Sequence, residues 1–120
     1  MKPVSIIAGL ILLLSVSCSS KKEDPINNGG GTGGASCDGV NAKFATDVQP
    51  IIQANCQTSG CHDASSTNGP GPLTSYDKIK NASSNIRQAV VSRVMPKGGS
   101  LTADQIKTIV CWIDSGSPNN

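Results

Sequence analysis

The sequence predicts an all-α fold, with roughly three to five helices in residues 37–120. Apolar residues recur there at helical spacing, and no segment alternates apolar and polar residues long enough to indicate a strand. The last helix is the clearest, because Thr102 and Gln105 have the spacing of a capping box and Gly116 follows as a stop. Its apolar stripe, at positions i, i+3, i+4 and i+7, consists of Ile106, Ile109, Val110 and Ile113.

The first helix is expected over residues 46–56, with Thr46 or Asp47 as its N-cap. Pro50 falls in the first turn, where a missing amide donor costs little. One face of this helix is apolar and carries Val48, Ile51 and Ile52.

Two shorter helices are expected between these. Ser75 is a suitable N-cap for a helix over residues 76–80, and Ser83 or Ser84 can start the next one. The apolar residues of that next helix recur every four positions, at Ile86, Val90 and Val94.

Residues 1–36 precede the folded part. Lys2, an apolar run over residues 4–16 and small residues at its end are typical of a secretory signal over residues 1–17. The small residue before Cys18 resembles a bacterial lipobox, which implies a lipidated Cys18. An ordinary cleaved signal with an unmodified Cys18 is the alternative. Residues 18–36 then form a glycine-rich flexible linker. We expect a lipid-anchored protein of the cell envelope, facing the periplasm or the outer-membrane surface.

The composition of the folded part favours a bound cofactor or cross-links. The whole chain has one Phe, one Tyr and one Trp, so a domain of this size buries little apolar surface by itself. A large flat apolar cofactor, a metal or disulfides would supply the missing stability. The net charge of +2 comes without the concentrated basic face that nucleic-acid binding requires.

The segment CQTSGCH is typical of covalent haem attachment, with Cys56 and Cys61 as the thiols and His62 as an axial iron ligand. His62 is the single histidine, and Met95 is the one methionine beyond the initiator. Pro96 and the following glycines favour a loop that turns the Met95 thioether inward. We therefore expect one haem c with His62 and Met95 as axial ligands; Lys97 is the alternative distal donor.

Two other interpretations of the cysteines remain open. Cys56 and Cys61 can form a tight disulfide beside a histidine that is there by chance. Alternatively, a zinc ion can take sulfur and nitrogen ligands, which here would come from Cys37, Cys56, Cys61 and either His62 or Cys111.

The order of these features over residues 44–120 resembles a small monohaem cytochrome c of class I type. The resemblance rests on the first helix, the attachment site, the GPGPL turn, the MPKGG loop and a last helix containing Trp112. One departure is the attachment site, which has four residues between the cysteines where the family usually has two. Such a bulge suits Ser59 and Gly60.

The resemblance implies several contacts. The first and last helices would cross through Phe44 and Trp112, which would also pack against the porphyrin, while Leu73 and Tyr76 wall it. A carbonyl of the proline turn, at Pro70 or Pro72, would accept the other imidazole N–H of His62. Because the ends of this fold approach each other, Cys37 and Cys111 would form a disulfide.

With both axial positions filled, the expected function is electron transfer with redox partner proteins, and no enzymatic reaction. A second hypothesis is a non-haem binding module, held by disulfides between Cys37 and Cys111 and between Cys56 and Cys61. A third is a five-coordinate haem enzyme or sensor with Met95 unbound.

Overall fold

The computed structural model describes residues 36–120. The predicted signal peptide (1–17), the lipidation site Cys18 and the linker up to residue 35 lie outside this range. Within it the all-α prediction is confirmed, since the structure contains helices and no strand. None of these helices is long and apolar enough to cross a membrane. The elements are a π-helical turn (Phe44–Val48), α1 (Gln49–Asn55), α2 (Tyr76–Asn81), α3 (Ser83–Val91) and α4 (Ala103–Asp114).

The first helical segment begins earlier than predicted, at Phe44 and not at Thr46 or Asp47. The reason lies at the other end of the chain. Asn120 accepts hydrogen bonds from the amide of Phe44 through Oδ1 (2.8 Å) and from the amide of Ala45 through its backbone oxygen (2.9 Å). The carboxylate of Asp47 reaches back to the amide of Lys43 (2.8 Å). These acceptors satisfy the exposed donors of the first turn.

The N-terminus of α2 and both ends of α4 follow the local prediction. Ser75 accepts a hydrogen bond from the amide of Lys78, which confirms it as the N-cap of α2. At α4 the capping box is complete: Thr102 Oγ1 accepts from the amide of Gln105 (3.1 Å), and Gln105 Oε1 accepts from the amide of Thr102 (2.9 Å). Gly116 follows the last turn.

The third helix begins at Ser83, as predicted, but ends before Val94. Arg93 has φ +57°, a left-handed conformation that α-helices cannot continue through. Ile86 and Val90 are buried, whereas Val94 is 59% exposed. The helix predicted to carry apolar residues at Ile86, Val90 and Val94 therefore ends before the third of them.

The core lies where the first helical segment, α4 and the C-terminal tail meet. The Phe44 and Trp112 rings lie 5.4 Å apart, so these two residues bring the first helical segment and α4 into contact, and Tyr76 contacts Phe44 edge-on at 5.0 Å. The tail covers this cluster: Trp112 Nε1 donates to the carbonyl of Pro118 (2.9 Å), and the Tyr76 hydroxyl donates to that of Ser117 (2.8 Å). Among residues 36–120, six side chains are fully buried: Val48, Ile52, Ile79, Ile109, Val110 and Trp112.

A disulfide and an ion pair join α4 to neighbouring segments of the domain. The predicted disulfide between Cys37 and Cys111 is present and joins positions 74 residues apart in sequence. On the other side, Arg87 of α3 contacts Asp114 of α4 through two hydrogen bonds, of 2.7 and 3.1 Å. The bonded carboxylate raises the pKa of Arg87. Because both side chains are partly exposed, this pair contributes about 0–1 kcal/mol, so the disulfide is the stronger link.

Candidate functional site

A cleft of two adjoining lobes lies between the attachment segment, the proline turn, α3 and the Met95 loop. The lobes have volumes of about 470 and 460 Å³, within the range of small-molecule and cofactor sites. Four residues line both lobes: Cys56, His62, Gly69 and Met95. The structure thus brings together the candidate axial ligands and one candidate thiol, which are up to 39 positions apart in sequence (95 − 56 = 39).

The first lobe has an apolar wall. Leu73, Ile86 and Val90 are between 3% and 6% exposed and line it, together with Ala89 and Val94. Leu73 was expected here. Ile86 and Val90 were predicted only as apolar residues at a spacing of four along this helix, and not as part of a cofactor site.

His62 is oriented by the turn that follows it. Its side chain is buried, at 7% exposed, and Nδ1 lies 2.9 Å from the carbonyl oxygen of Gly71. A carbonyl oxygen can only accept, so Nδ1 carries a proton, and in the neutral ring Nε2 then holds the lone pair. The acceptor was predicted at Pro70 or Pro72 and is instead the residue between them. Gly71 has φ +99°, which a side chain rarely permits.

The other ring nitrogen faces the cleft. No hydrogen-bond partner of Nε2 is found within residues 36–120, and no buried side-chain polar atom there lacks a partner. Nε2 is therefore not a buried atom. Since His62 lines both lobes, its one unpaired nitrogen is accessible from the cleft. A neutral imidazole with the opposite nitrogen hydrogen-bonded is the form that ligates metal ions.

The two candidate thiols both line the second lobe, and they are not bonded to each other. Burial raises the pKa of Cys56 to about 11, and the nearby Cys61 adds to this effect. Cys56 is therefore a neutral S–H group near neutral pH and not a reactive thiolate. The bridge between Cys56 and Cys61 required by the disulfide interpretation is not formed.

The zinc interpretation that used Cys37 or Cys111 was wrong, because these two sulfurs are bonded to each other and are not thiolates. Within residues 36–120 no group of three or more His, Cys, Asp or Glu side chains is placed to hold a metal ion.

Three predicted cofactor contacts lie elsewhere. Phe44, Tyr76 and Trp112 form the aromatic cluster under the C-terminal tail, and none of them lines either lobe. Their prediction as porphyrin contacts therefore gains no support, although their place in the core is clear. Of the two prolines, Pro70 lines the first lobe and also a groove beside α2, whereas Pro72 lines that groove and neither lobe.

The Met95 loop also lines the cleft. Met95 is half-buried and lines both lobes, whereas Lys97, the alternative distal donor, is exposed and lines only the second.

No protein-family model matches the chain, and neither a curated protein nor a solved structure matches it.

The residues present fit a flat apolar cofactor with one metal at its centre. The cleft offers an apolar wall, two unbonded thiols, an imidazole nitrogen with an available lone pair and a thioether. Thioether and imidazole are both ligands of haem iron, and cysteine pairs followed by histidine hold haem c.

Proposed function

We propose that this chain is an electron-transfer protein that carries one covalent haem c in the two-lobed cleft. The observation that carries the proposal is the state of His62. Its Nδ1 is held by the Gly71 carbonyl, and its Nε2 is open to a cleft that both unbonded thiols and Met95 also line.

Cys56 and Cys61 would hold the cofactor covalently. Each thiol would add across one vinyl group, so that its sulfur bonds to one vinyl carbon and its hydrogen goes to the other. Nothing leaves, and no net oxidation occurs. The protonated state of Cys56 is compatible with this addition.

His62, through Nε2, and Met95, through its thioether, would be the two protein ligands that hold the haem iron. Bound haem would supply one-electron redox chemistry at its iron. The hydrogen bond from Nδ1 to Gly71 would strengthen the imidazole as a donor. The Met95 thioether is a weak donor to ferric iron and would favour the ferrous state, which raises the reduction potential. With both positions filled, the site would be an electron carrier and not an enzyme.

The apolar wall would complete the site. Leu73, Ile86 and Val90 would cover the cofactor and exclude water. A cofactor in the cleft would also contribute the apolar burial that this small domain lacks.

The N-terminal segment would place this carrier in the cell envelope. A lipid at Cys18 would anchor the chain, and the glycine-rich linker would keep the domain close to redox partner proteins on the same membrane. Such tethering raises the effective concentration of the partners for each other.

A visible absorption spectrum tests the proposal. The protein should be purified after export from cells that attach haem to secreted proteins. A low-spin spectrum with the weak long-wavelength band of a methionine–iron bond is expected. Absence of a Soret band would support the non-haem binding module, and a high-spin ferric spectrum would support the five-coordinate enzyme or sensor.

A further inference from the structure

The four residues between the cysteines, 57–60, project from the attachment site as a closed turn. The amide of Cys61 donates to the carbonyl of Thr58 (3.0 Å), and Gly60 has φ +78°. Behind the turn, the amide of His62 donates to the carbonyl of Cys56 (3.0 Å), so the backbone returns to where it left α1. The extra length is therefore absorbed in the turn.

Gln57 fixes the first end of this turn. Its side-chain Nε2 donates to the carbonyl of Leu73 at 2.6 Å, and the bond is partly buried. The amide of Leu73 in turn donates to the carbonyl of His62 (3.0 Å). Both backbone polar groups of this cleft-wall residue are thus bonded to the attachment segment, one on each side of Cys61.

Asn68 fixes the other end. Its side-chain Nδ2 donates to two successive carbonyls, those of Gly60 (2.9 Å) and Cys61 (3.1 Å). Ser66 adds a hydrogen bond from its hydroxyl to the carbonyl of Cys61, and the amide of Asn68 donates to that same hydroxyl (3.2 Å). Three side-chain donor contacts therefore converge on the backbone around the second thiol.

Asp63 also holds the turn through its carboxylate. Its carboxylate accepts from the amide of Gly60 (3.2 Å) and from the amide and hydroxyl of Ser65 (3.1 and 2.9 Å). These hydrogen bonds lower the pKa of Asp63, and the bond from the Ser65 hydroxyl has the largest effect. Of the side chains that hold the turn, Asn68 lines the second lobe, and none lines the apolar wall of the first.

We propose that Gln57 and Asn68 are positioning residues that hold Cys61 in place for the second thioether bond. The inference rests on the proposed function. Two sulfurs must meet two vinyl groups of one rigid ring, and once Cys56 is attached, the second addition is intramolecular. Its efficiency depends on how narrowly Cys61 is confined. A long glycine-containing turn would leave the position of Cys61 variable. The side-chain amides of Gln57 and Asn68 restrict it through their hydrogen bonds.

The test is the number of thioether bonds in the haem-containing protein. We compare the wild type with Asn68→Ala, Asn68→Asp and Gln57→Ala, each exported and matured in the same cells. After denaturation, free thiols are alkylated and located by peptide mass spectrometry. The alkaline pyridine spectrum of the haem independently reports how many vinyl groups remain unsaturated.

In the wild type, both thiols should be blocked. In Asn68→Ala and Asn68→Asp, we expect a several-fold larger fraction of chains attached through Cys56 alone, with Cys61 alkylated and the pyridine band shifted to longer wavelength. Asn68→Asp keeps the side-chain size but replaces the donor by an acceptor that faces two carbonyls. Gln57→Ala should likewise increase the fraction of chains attached through Cys56 alone.

Matched controls are Gln53→Ala on α1 and Asn81→Ala on α2, two exposed residues that do not line the cleft. Both should keep two thioethers. Gln57→Ala tests the inference even where an Asn68 variant fails to fold. Two complete thioethers in every folded variant would overturn the inference and leave the proposed function intact. A wild-type protein without haem would overturn both.

Discussion

His62 and Gly71 are joined by a hydrogen bond of 2.9 Å from the imidazole Nδ1 to the backbone carbonyl oxygen. This contact fixes the ring tautomer and leaves Nε2 available at the cleft. It depends on the backbone of the proline turn, since Gly71 has φ +99°.

Replacing Gly71 with alanine should therefore destabilise the domain. A Cβ at this φ strains the turn and should lower the free energy of unfolding by about 1–2 kcal/mol. Denaturant unfolding measures the change. Gly99→Ala is the control, because Gly99 lies outside the left-handed region and its added Cβ meets Pro96 at an ordinary 3.6 Å. Equal losses in the two variants would contradict the assigned role of the turn.

Met95→Ala should remove the sixth ligand. We expect the long-wavelength band to disappear and the reduction potential to fall by on the order of 100 mV or more, given the tuning range of axial ligands. Spectroelectrochemical titration measures both. Ser100→Ala is the control, since Ser100 lies in the same loop, is exposed and lines neither lobe. A Met95→Ala protein with the wild-type spectrum would show that another residue is the ligand.

Breaking the disulfide should weaken the whole domain. Cys37→Ser with Cys111→Ser should lower the free energy of unfolding by about 2–5 kcal/mol, because the bond closes a long loop of the unfolded chain. The bond spans 74 positions and anchors the segment before the first helix to the last turn of α4. Urea unfolding with and without reductant measures the loss. Reductant should destabilise the wild type and leave the double variant unchanged; the same response in both would count against this bond.

Asn120→Ala should destabilise the first helical segment from the far end of the chain. The substitution removes the Oδ1 acceptor of the Phe44 amide, 76 positions away, and should cost about 1 kcal/mol, as other N-terminal helix acceptors do. Asn119→Ala, at an exposed neighbouring position, is the control and should be neutral. Thermal unfolding compares them. An unchanged melting temperature in Asn120→Ala would show that this contact contributes nothing.

Features that depend on near neighbours in sequence were predictable. The capping box of α4 and the Ser75 cap of α2 each involve residues three positions apart, so local hydrogen bonding decides them. The sequence also identified the residues that line both lobes, apart from Gly69, because the chain contains a single histidine and a single internal methionine.

Features set by distant contacts were not predictable in the same way. The start of the first helix depends on Asn120, 76 positions away from Phe44. Nothing in the turn sequence distinguishes the carbonyl of Gly71 from those of its proline neighbours. The donors Gln57 and Asn68 lie 11 positions apart (68 − 57 = 11) and act on different carbonyls, so no spacing pattern indicates them.

The intact mass of the exported protein tests the central claim most directly. The domain should be produced in cells that attach haem to secreted proteins and measured under denaturing, non-reducing conditions. The account predicts a mass that exceeds the processed polypeptide, with any lipid, by one haem, and this excess should persist after acidic organic extraction because it is covalent. A folded protein at the mass of the processed and lipidated polypeptide alone would contradict it.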